Sequence, residues 1–252
     1  MGNKQLTSIA IGHIGIVFQR RGRFDLAMQH FESDLRITEE LGDKQGISIA
    51  LGLIGELHSV MGNFDAALHY LGRNLQLARE LGYKKGIAKA LNTIGDVYYF
   101  KRDFEKSIEY YDQAIAETRS IDSKLVLGFS LVEKGRVLLA MEDLEGTKKL
   151  LDEAFDIAWK LNQPELIDEA EMLKAMLHIA SGEHEKAREI LNELLQNEPE
   201  PAKEAAIHFY LSLIEEGTEH CQKALERYQK LYEHTPMYLY KLRIDTLRSK
   251  LS

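Results

Sequence analysis

The chain has 252 residues and one cysteine, Cys221, so no internal disulfide can form and no oxidising compartment is needed to hold the fold. Four prolines and eighteen glycines argue against a linker or a collagen-like chain. No apolar run approaches the roughly 20 residues that span a bilayer. The N-terminal MGNKQLTSIAIGHIG has no charged-then-apolar leader. Basic charge is in short supply as well: 32 Lys and Arg face 40 Asp and Glu, a formal net charge of -8. That balance disfavours a general nucleic-acid binder or a basic protein of the membrane surface. Strand-type alternation is missing throughout. The expectation left standing is a soluble, cytoplasmic-type chain, with 44% hydrophobic residues for a core and 29% charged residues for a solvated surface.

What the chain does have is self-similarity. MGNKQLTSIAIGHIGIVFQRRGRFDLAMQHF, LGDKQGISIALGLIGELHSVMGNFDAALHYL, LGYKKGIAKALNTIGDVYYFKRDFEKSIEYY and IDSKLVLGFSLVEKGRVLLAMEDLEGTKKLL begin at residues 1, 41, 81 and 121, a gapless period of 40. Gly15, Gly55, Gly95 and Gly135 fall in register, as do Phe18, His58, Tyr98 and Leu138. Phe24, Phe64, Phe104 and Leu144 form a third column. The small residues Ala27, Ala67, Ser107 and Thr147 follow, then Phe31, Leu71, Tyr111 and Leu151. A weaker fifth copy carries Ala175, His178, His184, Ala187 and Leu191. A sixth, 37 residues on, carries Leu211, Ser212, Ala224 and Tyr228 and closes at Pro236.

Each copy reads as two helices. In the third, Ile87, Leu91, Ile94 and Tyr98 recur at helical spacing, and after a short turn Phe104, Ile108, Tyr111 and Ile115 do the same. The turns hold Gly22, Gly62 and Gly182, or the pairs Lys101-Arg102 and Glu142-Asp143. Asn63, Asp103 and Asp143 stand at N-cap positions. A glycine on the first helix and a small residue on the second let two backbones approach. One such pair cannot bury its apolar face alone, so successive pairs must stack.

This pattern resembles the tetratricopeptide repeat. Ile94-Gly95, Tyr98, Ser107 and Tyr111 match its aliphatic-glycine pair, aromatic, small residue and second aromatic, and the other copies match similarly. The first four copies exceed the usual 34-residue length. Glu39, Arg79, Arg119 and Trp159 stand where the family ends its second helix with proline, while Pro199 and Pro236 occupy that position in the last two copies. Without the proline clash the second helix can run on. That is similar to the long-helix variety of kinesin light chains and bacterial signalling regulators. The resemblance implies an all-α, right-handed superhelical solenoid of antiparallel helix pairs, forming one domain over 1–252. Its repeats lie near 1–41, 42–81, 82–121, 122–162, 163–200 and 201–236, with a capping helix over 237–251.

The two ends differ. MGNKQLTSIA matches LGDKQGISIA at six positions, so the first ten residues read as a junction between repeats. The expectation is a chain cut from a longer protein, with Ile9, Ile11 and Val17 on a helix that has lost a neighbour and can self-associate; the alternative is a natural start after a lost repeat. At the other end, Leu239, Leu242 and Leu251 are expected to cover the last repeat, with Lys241, Arg243, Arg248 and Lys250 outward.

In the family the first helix of each pair lines a concave groove. The residues expected there are His13 and Arg20 in the first copy and Glu56 in the second. The third gives Lys89, Asn92, Thr93, Asp96 and Tyr99, the fourth Glu133 and Arg136, and the fifth Met172 and Met176. Leu53, Val132 and Leu173 add apolar surface. Methionines suit an apolar anchor of a peptide, and the polar members can fix its orientation. The clamp for a C-terminal carboxylate found in chaperone-binding members is not matched, because Gly12, Ile16, Leu53 and Thr93 occupy comparable faces. The asparagine that often precedes the aliphatic-glycine pair is replaced by His13, Leu53, Thr93 and Lys134.

Signals for other chemistry are weak. Gly12-His13-Ile14-Gly15 lies inside a predicted helix and is no phosphate loop. His208, His220, Cys221 and His234 share one repeat, but adjacent His220 and Cys221 face apart on a helix. No metal, cofactor or catalytic set is expected. Residues 163–204 hold eleven Asp and Glu against four Lys and Arg, read as solvated faces or a docking patch for a basic partner. Arg20, Arg21 and Arg23 form too small a basic cluster for nucleic acid. The expected function is a non-enzymatic scaffold that binds protein or peptide, as the docking or sensing region of a larger regulator. The alternatives are a self-assembly module and a receptor for a small signalling peptide.

Overall fold

The computed structural model describes residues 2–121 and 123–251, with side chains from Lys4 onward, so Met1 of the N-terminal junction lies outside the described residues. Among the described residues there are thirteen α-helices and no strand. They form two compact units, Met1–Asp122 and Ser123–Ser252. The first holds α1 (Gly2–Arg20), α2 (Phe24–Leu41), α3 (Lys44–Val60), α4 (Phe64–Glu80), α5 (Lys84–Phe100) and α6 (Phe104–Ser120). The second holds α7 (Lys124–Ala140), α8 (Leu144–Leu161), α9 (Pro164–Ala180), α10 (His184–Gln196), α11 (Pro201–Ile214), α12 (Glu219–His234) and α13 (Tyr238–Leu251).

Within each unit the helices pack as consecutive antiparallel pairs, and each second helix also packs against the first helix of the following pair. The turns inside pairs are tight because one residue takes a left-handed conformation. Glycine supplies it at Gly22, Gly62 and Gly182, while Arg102 and Glu142 adopt it at φ 60° and 64°. Asp103 and Asp143 cap α6 and α8 by accepting from the backbone N–H of Lys106 and Gly146, and Asp43 caps α3 in the same way through Gly46. Asn63 makes no cap bond; its amide turns toward His58 Nδ1 at 3.5 Å. The second helices of the first four pairs run 17 or 18 residues, whereas α10 has 13 and ends before Pro199.

The glycine column makes room mainly for a large residue, not for a small one. A Cβ on Gly15 would lie 2.5 Å from Phe31, on Gly55 2.7 Å from Leu71, and on Gly95 3.0 Å from Tyr111. In each case the obstacle is the side chain sixteen residues on. Gly135 departs from the column and faces Leu173 of α9 at 2.7 Å. The small column contributes hydrogen bonds where it is polar: Ser107 Oγ donates to Gly95 O at 2.8 Å, and Thr147 Oγ1 approaches Gly135 O at 3.3 Å. Ring pairs twelve residues apart then close each helix pair of the first unit. Phe18 stacks on His30, His58 on Tyr70 and Tyr98 on Tyr110, with centroids 5.3–5.5 Å apart. Between pairs, Ala67, Leu71, Leu75, Ile87, Leu91 and Ile94 form a continuous core.

The last helix is rotated from the expected orientation. Ile244 and Leu247 are its buried anchors, with Tyr240 and Leu251 beside them, a stripe at steps of four, three and four. Leu242 is exposed instead of covering the repeat. Arg243 is not outward: its guanidinium lies 3.9 Å from the Phe209 ring centroid and donates to Tyr210 Oη at 3.0 Å. Lys250 is exposed, as are Lys241 and Arg248, while its ammonium donates to the Ser212 carbonyl.

Candidate functional site

In the first unit the candidate residues stand at helical spacing on the first helices. His13 and Arg20 are exposed on α1. Glu56 of α3 and Lys89 of α5 meet across the helix boundary, with Nζ 2.6 Å from Oε2, an ion pair and not an aligned hydrogen bond. One turn along α5, Asn92 is half-buried. Its Oδ1 is shielded from solvent and accepts no hydrogen bond from the described residues. A buried acceptor left in this state costs about 1–3 kcal/mol unless something donates to it. Thr93 spends its hydroxyl on Lys89 O at 3.1 Å. Asp96 accepts from the Tyr111 hydroxyl, which ties the polar face of α5 to α6. Tyr99 is half-buried, with its ring 5.9 Å from Phe104 and 5.6 Å from Phe100.

In the second unit Arg136 of α7 is gripped from both sides. One guanidinium nitrogen lies 2.5 Å from Glu133 Oε1 and the other 2.5 Å from Glu169 Oε2 of α9. Burial disfavours its charge, but the two carboxylates outweigh this and push its pKa up. Its donors therefore serve to knit α7 to α9. Met176 is half-buried on α9. Met172 is not a surface residue: it is 5% exposed and packs with Ala175, Leu191, Leu194, Ile207 and Leu211. Leu53, Val132 and Leu173 are likewise core residues. The reason is that α9 packs against α7, α8, α10 and α11, so little of its circumference is left open.

Six of the eleven acidic residues in the 163–204 stretch are paired within the fold. Glu169 pairs with Arg136, Asp168 with Lys203, Glu171 with Lys174, Glu183 with Lys186, Glu185 with Arg188, and Glu204 with Arg227. This favours solvated, paired faces over a docking patch.

The sequence reading missed a histidine pair. His208 Nδ1 and His220 Nδ1 lie 2.8 Å apart across α11 and α12, so one ring must donate and the other accept. No column of the repeat carried the signal, because by register His208 stands where Leu91 and Leu131 do and His220 where Asp103 and Asp143 do, not in the ring-stack columns. Burial, with Arg227 and His220 close by, holds the His208 pKa down at about 4. Among the described residues no group of three or more His, Cys, Asp or Glu is arranged to hold a metal, and no helix is long and apolar enough to cross a membrane.

Family profiles described as tetratricopeptide repeat match residues 10–45, 46–116 and 169–201. Comparison with curated proteins gives no match. Among solved structures, NprR in complex with its cognate peptide NprX is 16% identical, with a TM-score of 0.72, covering 99% of this chain and 72% of that one. Aspartyl phosphate phosphatase F from Bacillus subtilis is 12% identical with a TM-score of 0.72, covering 96% of this chain and 60% of that one. A signal-transduction ATPase with a tetratricopeptide-repeat sensor, from Pyrococcus horikoshii, is 15% identical with a TM-score of 0.67, covering 99% of this chain and 39% of that one. At these identities the likeness is one of fold. The chain spans less than two thirds of the phosphatase and of the ATPase.

Proposed function

Because the chain is a tetratricopeptide-repeat protein, we propose that it acts by binding and not by catalysis, and that the α3–α5 face of the first unit takes an extended or helical peptide. The observation that carries this is Asn92. Its carbonyl oxygen is a shielded acceptor without a donor, between the Glu56–Lys89 pair and Asp96. A peptide N–H is the donor it lacks, and Tyr99 offers an aromatic edge two turns further along the same face of α5. Arg136 is committed to two carboxylates, so the second unit contributes less free polar surface. The peptide complex of NprR supports a small signalling peptide as one form of the ligand. The signal-transduction ATPase with a tetratricopeptide-repeat sensor supports a sensing region of a larger regulator as one setting for such a scaffold.

A random peptide display library selected on the chain tests this. Enriched peptides are expected to bind the purified protein and to lose about tenfold in affinity to Asn92→Ala, the worth of one desolvated hydrogen bond. Failure to enrich, or equal binding by Asn92→Ala, contradicts the reading.

A second reading, self-assembly, is favoured by α1. Ile14 and Val17 are 45% and 49% exposed, whereas their counterparts forty residues on, Ile54 and Leu57, are 1% and 0% exposed. α3 has a preceding helix, α2, packed against it. Leu6 and Ile9 extend the same exposed stripe, while Ile11 is half-buried. A contiguous apolar face of this kind marks an interaction surface. Sedimentation velocity over a wide concentration range is expected to show association that Ile9→Glu removes. A strictly monomeric protein would end this reading and leave the first untouched.

A further inference from the structure

The face that α1 leaves open is made of Leu6, Ile9, Ala10, His13, Ile14 and Val17, all of them exposed. They share one side of the helix, at steps of three, one, three, one and three. That order reads the same from either end. An antiparallel copy of α1 therefore lays each member of the set opposite another: Leu6 to Val17, Ile9 to Ile14 and Ala10 to His13. The four larger aliphatic side chains are 45–69% exposed, and this pairing covers all four with apolar partners. It also matches size, because the smallest residue of the face meets the ring of His13. In a parallel pair in register, Ala10 would face Ala10 and leave a gap, and His13 would crowd His13. Charge favours the same order. α1 holds no Asp or Glu, and Arg20, Arg21 and Arg23 stand exposed at its C-terminal end. A parallel pair would gather the arginines of both copies and set two helix dipoles side by side in the same direction, both unfavourable. The antiparallel pair keeps the clusters at opposite ends, each beside an N-terminal end where Glu40 already holds Lys4 at 3.3 Å.

We propose that α1 pairs with α1 of a second copy as an antiparallel two-fold dimer, with the axis level with the Ile11–Gly12 peptide. This rests on the self-assembly reading and adds which surface of the second copy is met and in which direction. It does not draw on the reading of Asn92.

The test places opposite charges on the full chain and reads association by sedimentation velocity. Ile9→Glu and Ile14→Lys should each weaken self-association by at least about tenfold, because each sets a lone charge against an apolar partner. Mixed one to one, the two variants should recover association to within about a few-fold of the wild type. The new carboxylate and ammonium then face each other, and the second Ile9–Ile14 contact is intact. Ile9→Glu mixed with Ile9→Lys should not recover it. All three variants should keep the wild-type circular dichroism spectrum, since the substituted side chains are exposed in the single chain. If one misfolds, Leu6→Glu with Val17→Lys repeats the test one turn further out. Wild-type association with no recovery in the Ile9→Glu and Ile14→Lys mixture would overturn the antiparallel pairing and leave self-assembly in place. So would recovery in the Ile9→Glu and Ile9→Lys mixture. A wild-type chain that stays monomeric would end both.

Discussion

Gly95→Leu is expected to lower the melting temperature by about 5–10 °C, the effect of roughly 2–3 kcal/mol on a domain of this size. A single added carbon at Gly95 already sits 3.0 Å from Tyr111 Cε2 and Cζ. Tyr111 cannot swing away, because it is 1% exposed and its hydroxyl is tied to Asp96. The isobutyl group must therefore push α5 from α6 and stretch the Ser107 bond to Gly95 O. Gly72 supplies the control. It lies in α4 with nothing within 4 Å of a built Cβ, so Gly72→Ala should stabilise by up to about 1 kcal/mol through helix propensity alone. Opposite signs from the two glycines would establish that packing is what selects the column. A Gly95→Leu protein that melts like the wild type would show that α5 and α6 do not meet there.

The second large effect is expected in acid. His208 is buried and neutral in the folded chain, with its pKa held at about 4, against an unfolded value near 6.5. Between those values the unfolded chain binds a proton that the folded chain does not, so stability falls as the pH drops from about 6.5 to about 4 and levels off below. The loss is on the order of 3 kcal/mol. The groups around the ring account for the direction. Burial comes first, then Arg227 and His220, with Lys223 adding to them, while Glu204 opposes them. His208→Leu, with the residue type that Leu91 and Leu131 provide at the equivalent place in earlier copies, should flatten this limb of the pH–stability curve. Chemical denaturation at pH 4, 5, 6 and 7 measures it. An unchanged slope in that variant would assign the acid sensitivity elsewhere.

Much of the fold was legible because the period of 40 lets every position be read four times over. The columns of glycine, aromatic and small residues locate both helices of a pair, and the left-handed turns fall where glycine or a charged pair breaks the pattern. The candidate site was less legible. Asn92, Asp96 and Tyr99 share a helix face with Lys89, and that follows from spacing alone. Met172 shares the corresponding face of α9 and is nevertheless core, because the helices that cover α9 are set by packing across repeats and not by the period within one. Arg243 illustrates the same limit: charge placed it outward, and two aromatic rings drew it in.

The most direct measurement of peptide binding at the α3–α5 face is an amide hydrogen-exchange footprint of the chain with and without a selected peptide at saturation. Slowed exchange on α3 and α5, centred near Glu56, Lys89, Asn92 and Tyr99 and weakened in Asn92→Ala, is the predicted result. A footprint confined to α4 and α6, with α3 and α5 exchanging as in the free protein, would contradict it.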